Sequence, residues 1–108
     1  MNVSKLRLTE ARLLPAIREA AEVSSKLVFL PALEKNSMAG MMTFLQAQRC
    51  LQKGTISGKP RFNEYGDWEL TMRRYAAACV FEMQIVVICE GASVLYIGIF
   101  SEDIHVSL

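Results

Sequence analysis

The periodicity of the chain changes once, at Gly54, and that change sets the fold. Before it, apolar residues recur at the 3.6-residue spacing of helices. After it they alternate with a period of two, as in strands buried on one face. A chain that is helical first and β afterwards packs its helices' apolar stripes on one face of its sheet, in two layers around one core. Its 108 residues are enough for one such domain. The expectation is an α+β domain over residues 1–108, with N-terminal helices on one face of a four-stranded, mainly antiparallel sheet. The helical part spans about 9–54, the sheet about 55–100, and a polar, loosely held tail 101–108.

In the first half, Leu13, Leu14, Ile17, Ala20 and Ala21 form one helical stripe, with Arg12, Arg18, Glu19 and Glu22 outside it. Thr9 is the N-cap candidate, and Pro15 should kink the helix unless its regular part begins near Leu14. Ser24-Ser25 ends it, and Leu27-Val28-Phe29 reads as a short extended piece stopped by Pro31. Ala32 to Met38 reads as one or two helical turns. Thr43-Phe44-Leu45-Gln46 then spells a capping box, opening a helix whose inner stripe is Phe44, Ala47, Cys50 and Leu51. Gly54 is expected to close it in the left-handed conformation.

In the second half, Thr55 to Phe62 is a weak edge strand broken by Gly58 and Pro60. Asn63 to Asp67 is a hairpin loop in which Gly66 can take a positive φ. Trp68, Leu70 and Met72 form the inner face of the next strand. Phe81, Met83, Ile85, Val87 and Cys89 form that of the one after, and Val94 to Phe100 is the last strand. Glu69, Thr71, Arg73, Tyr75, Glu82 and Gln84 are left on the solvent face.

Composition narrows the classes of function. The apolar run Ile85 to Cys89, like every other in the β half, falls far short of the roughly 18–20 residues a bilayer requires. The first residues lack the apolar core of a signal peptide, so a cytoplasmic protein without membrane contact is expected. Cys50, Cys79 and Cys89 have no metal-ligand spacing and read as buried thiols of a reducing compartment. His105 is the one histidine, so neither a metal nor another cofactor is expected. The net charge of +1 hides an asymmetry. Residues 1–63 carry ten Lys/Arg against four Asp/Glu, and residues 64–108 carry two against seven. Either the two halves neutralise each other across the fold, or one presents a positive face to phosphates or an acidic partner.

Several motifs stand in a telling order. They are Ser24-Ser25 before Leu27-Val28-Phe29, the Thr43 helix ending in Cys50-Leu51-Gln52-Lys53-Gly54, Ile56-Ser57-Gly58-Lys59-Pro60, and Gly66-Asp67-Trp68-Glu69-Leu70-Thr71 before two apolar strands. From about Ala20 to Phe100 this order resembles a bacterial family of small proteins of unknown function. That family belongs to the wider barnase, EndoU, colicin and RelE-like group of nuclease toxins. The resemblance implies a RelE-like fold and a metal-independent ribonuclease ancestry. It also implies a histidine and an arginine where this chain has Ala32 and Asn36. Cleavage of this type needs a base for the 2′-hydroxyl, an acid for the leaving oxygen, and cations for the phosphorane. Alanine supplies none of these.

Two functions follow. One is a non-catalytic binding or regulatory protein, with an antitoxin-like protein partner, RNA or a second copy as its ligand. The other is an RNA-cleaving toxin of a toxin–antitoxin pair, with catalytic residues drawn from Glu69, Arg73, Tyr75 and His105. For binding, Arg73 and Arg74 are either phosphate clamps or solvated strand-end charges. Tyr75 and Tyr65 either stack on bases or sit at a rim. Lys53, Lys59 and Arg61 either extend a basic edge or protect an edge strand from aggregation. His105 is either a relocated acid/base or a residue of the tail. Met38, Met41 and Met42 around Gly40 offer either an adaptable surface or core filling. The expected site is the solvent face of the sheet.

Overall fold

A computed structural model of the chain describes residues 7–31 and 42–108. In chain order the elements are helix α1 (Glu10–Ala21), a 3₁₀ turn (Ser24–Lys26), strand β1 (Leu27–Leu30), helix α2 (Phe44–Lys53), and strands β2 (Thr55–Phe62) and β3 (Trp68–Ala76). Strands β4 (Cys79–Glu90) and β5 (Ser93–Phe100), a second 3₁₀ turn (Ser101–Asp103) and strand β6 (His105–Ser107) complete them. Ala32, Asn36, Met38, Gly40 and Met41, and with them the turns expected between Ala32 and Met38, lie outside the described residues.

The α+β class holds, but the sheet has six strands and is mixed, which corrects the four-stranded, mainly antiparallel RelE-like expectation. Strand order is β1-β5-β4-β3-β2, with β6 also paired to β4. Strands β2 to β5 form the antiparallel meander that their alternation foretells. The two additions are short segments with long-range partners. β1 lies parallel to β5, placing Leu27 beside Ile97 and Phe29 beside Ile99 on the inner face. β4 outruns β5, which pairs only from Ile85 onward, and Val80 to Glu82 are covered by β6 instead. Unpaired backbone groups on a strand edge favour any segment able to complete the ladder. The C-terminal segment is therefore not a loose tail: Ile104 is buried and His105–Ser107 are paired.

Helix α2 begins as its sequence dictates. The Gln46 N–H donates to Thr43 Oγ1 at 3.2 Å, and the Thr43 N–H donates to Gln46 Oε1 at 2.9 Å. Thr9 caps α1 in extended geometry without a side-chain bond, and Pro15 lies inside α1 without ending it. The helices are tied at their ends. Gln48 and Gln52 both donate to the Ala21 carbonyl, at 2.9 and 3.2 Å, and Arg18 donates to the Gly54 carbonyl at 3.1 Å. These bonds satisfy carbonyls that a helix terminus leaves free.

Gly54 is not left-handed. Its φ of −81° and ψ of −174° are open to any residue. What demands glycine is space, because a Cβ there would lie 2.6 Å from the Arg73 carbonyl oxygen and closer still to that of Cys50. The absent side chain lets α2 turn directly into β2 against the backbone of β3.

The core lies between the helices and one face of the sheet. Leu13, Ile17, Ala47, Cys50 and Leu51 meet Met72, Met83, Ile85, Val87, Ile97 and Ile99, all fully buried. Trp68, Leu70 and Phe81 are buried beside them, so the inner face of β3 and β4 is the one the alternation specifies. Each large apolar side chain removed from water contributes about 1.5–3 kcal/mol before entropy is counted. Trp68 Nε1 also donates to the Leu8 carbonyl at 2.9 Å, holding the segment before α1 on the core.

Candidate functional site

Among the described residues both helices lie on one side and leave the other face of the sheet open, and pairing registers fix what it carries. Odd-numbered residues of β3 point outward, and each meets an outward residue of β4: Arg73 opposite Glu82, Thr71 opposite Gln84, Glu69 opposite Val86. The outward side of β6 adds His105 opposite Glu82, and β2 adds Thr55 opposite Arg73. Thr55, Arg73, Glu82 and His105 thus form one row across four strands.

Within that row Arg73 Nη2 lies 2.7 Å from Glu82 Oε2, and Arg73 Nε donates to the same oxygen at 2.9 Å. Bonding to the Glu82 carboxylate, with a further contribution from Tyr75, holds the guanidinium pKa above its ordinary value. Tyr75 is 72% exposed at the end of β3. The hairpin joining β3 to β4 turns through Ala77 and Ala78, at φ 52° and 60°, a left-handed pair built without glycine or asparagine.

A second cross-strand pair flanks the first. Arg61 Nη2 lies 2.6 Å from Glu69 Oε1, while Asn63 Nδ2 donates to Glu69 Oε2 at 2.9 Å. The bonds from Asn63 and then Arg61 hold the Glu69 carboxyl below its ordinary pKa. Asn63 itself is fixed, because its Oδ1 accepts from the Tyr65 and Asp67 N–H groups at 3.0 Å each. Asp67 Oδ1 accepts the Cys89 N–H at 2.9 Å, where the β4–β5 ladder is irregular.

The remaining half of the open face is apolar. Register puts Val28 and Leu30 of β1, Gly98 of β5, and Val86 and Ile88 of β4 on it, with Tyr96 opposite Ile88. A Cβ on Gly98 would meet Leu30 Cδ1 at 2.5 Å and Val86 Cγ1 at 2.9 Å, so these two side chains close over the glycine. Val86 is buried as a result, although it points away from the helices.

The expected site residues divide accordingly. Arg73, Tyr75, Glu69, Arg61 and His105 share the open face, and Arg73 and His105 are joined in one row by Glu82. Arg74 is opposite Phe81 on the helical side, close enough to the Cys50 thiol to act on it. Lys53 ends α2, and Lys59 lies at the register slip of β2. Met42 is core. Glu82 went unnamed as a site residue because its meaning depends on the β3–β4 register, which the sequence does not announce.

Of the basic residues of the N-terminal half, Arg12 and Arg18 are balanced within α1 by Glu10 and Glu19, while Arg49 and Lys53 on α2 and Lys59 and Arg61 on β2 have no acidic residue on the same element. A depression of about 240 Å³ between α1 and the β4–β5 turn is lined by Glu19, Lys26 and Ser93, and the Lys26 ammonium is directed to the Val94 carbonyl at 3.4 Å. Burial pushes the Cys50 thiol up to about 12 and the Cys89 thiol up to about 11, so both resist forming thiolates. Among the described residues, no three His, Cys, Asp or Glu side chains are placed to hold a metal ion, and no helix is long and apolar enough to cross a membrane. No family model, no curated protein and no solved structure matches the chain.

Proposed function

We propose that this chain is a non-catalytic binding or regulatory protein whose open sheet face engages a protein partner. One observation carries the reading: both outward arginines, Arg61 and Arg73, are already paired with carboxylates on the neighbouring strand. The face is therefore close to neutral. An RNA backbone gains little from it, since each phosphate contact would have to displace Glu69 or Glu82. Beside the paired charges lie Val28, Leu30, Ile88 and Tyr96, and a mixture of apolar area, an aromatic ring and satisfied polar groups suits a protein surface. The resemblance of the sequence motifs to the nuclease-toxin family is compatible with a non-catalytic relative in which Ala32 stands at the histidine position.

Titrating labelled single-stranded RNA with the protein tests this reading. Only weak, sequence-independent binding is expected, abolished by physiological salt. Tight binding that survives such salt and is lost in Arg73→Glu contradicts it.

The row of Arg73, Glu82 and His105 favours a second reading, metal-independent RNA cleavage. Glu82 would take the 2′-hydroxyl proton, the 2′-oxygen would attack phosphorus, and His105 would protonate the departing 5′-oxygen. Arg73 would face the phosphorane charge. Cleavage lost in both Glu82→Gln and His105→Ala would establish this reading over the first.

A further inference from the structure

We infer that the partner of the open sheet face is a second copy of this chain, docked face to face in a two-fold dimer; the inference rests on the reading of that face as a partner-binding surface. The face is divided lengthwise. On the β1, β5 and β4 side it is apolar, with Val28, Leu30, Ile88 and Tyr96 around Gly98. On the β3 and β2 side it carries two arginines and two carboxylates in cross-strand pairs. Such a surface complements itself. A two-fold axis near Gly98 lays apolar strip on apolar strip. The flanking half of each copy, whose two outward arginines are each matched by a carboxylate, meets its copy without strong repulsion.

The alternatives fit less well. A polyanion finds no unpaired outward arginine on this face among the described side chains, a strongly acidic or basic segment finds no net charge to oppose, and a lipid surface, unlike a second copy, would bury the Arg61–Glu69 and Arg73–Glu82 pairs against no polar group.

Size and shape agree. Strands about 4.8 Å apart rising about 3.3 Å per residue give this sheet a face of roughly 700 Å², its longest strand having 12 residues. A standard interface buries about 800 Å² per partner. Twisted sheets pack face to face at roughly 30° and 10 Å, provided the facing side chains are low and closely set. Leu30 and Val86, folded over Gly98, make the centre of the strip such a surface.

Sedimentation equilibrium of the full chain tests the dimer, with Tyr96→Lys and Val28→Lys as separate variants and Tyr65→Lys as control. Tyr96 and Val28 place a charge in the strip from different strands, so a folding failure in one leaves the other informative. Tyr65, 80% exposed in the β2–β3 loop, lies off the strip. Thermal melts establish that each variant is folded. The wild type should dimerise as concentration rises, with little dependence on salt. Each strip variant should raise the dissociation constant about tenfold or more, the size expected for a central contact, and Tyr65→Lys should leave it unchanged. A wild type that stays monomeric throughout, or a dimer that neither strip variant weakens, overturns the second copy as partner. Either result leaves the binding reading standing, because that reading falls only to RNA cleavage or to tight, salt-resistant RNA binding.

Discussion

Arg73 on β3 stands directly opposite Glu82 on β4, and the 2.7 Å contact between them neutralises the central charge of the open sheet face. An ion pair this exposed is worth little to the fold, because water screens it and two long side chains must be held still to make it. Its consequence is for binding, because it decides whether the guanidinium is available to a phosphate.

Glu82→Gln separates these two roles. Urea unfolding should show a midpoint close to that of the wild type. Binding to single-stranded RNA should strengthen, with its salt slope steeper by about 0.7, the value of one added phosphate contact. A variant with unchanged RNA affinity would mean that the pair does not govern the face.

The β3–β4 turn stores strain. Ala77 and Ala78 both hold left-handed backbone, at φ 52° and 60°, which costs an L-residue about 1 kcal/mol or more. Asparagine followed by glycine is the favoured pair for such a turn. The double substitution Ala77→Asn with Ala78→Gly should therefore raise stability by about 1 kcal/mol in denaturant melts. No gain would show that the turn is not of this type.

Gly54 offers the opposite case. Adding a methyl group there forces it against the Cys50 and Arg73 carbonyl oxygens, which belong to packed backbone and cannot swing aside. Gly54→Ala should cost about 1–3 kcal/mol, in the range of overpacked sites, and thermal or urea melts measure that loss.

Much of this fold is legible in the chain. The Thr43–Gln46 capping box, the alternation of Trp68, Leu70 and Met72, and that of Phe81, Met83 and Ile85 are local patterns, and the structure realises each. What the sequence withholds is pairing between distant segments. The four residues of β1 and the three of β6 are too short for a period of their own. Their partners on β5 and β4 become evident only once the meander has formed. The site suffers from the same cause. Glu69, Arg73, Tyr75 and His105 can be read as outward or terminal, but their grouping needs the β3–β4 register. That register is set by a turn made of alanines, with none of the residues that mark a turn. Arg74, one residue along, falls on the helical face for the same geometric reason.

Glu69 gives a pH test of the hairpin. Its carboxyl is held below the ordinary range by Asn63 and Arg61, so the stability it adds is present above the unfolded-state pKa and is lost as pH falls through the lower, folded value. Carboxyl NMR should place the Glu69 midpoint below that of an unperturbed glutamate. Asn63→Ala should move it upward, since Asn63 is the larger cause.

Incubating purified protein with mixed-sequence RNA in chelator, with chain ends analysed over time, decides whether the open face is catalytic. Intact RNA is expected at every time point, identical for wild type, Glu82→Gln and His105→Ala. Time-dependent cleavage by the wild type that leaves cyclic 2′,3′-phosphate ends and disappears in both variants would contradict the non-catalytic reading, and would make the row of Arg73, Glu82 and His105 an active site.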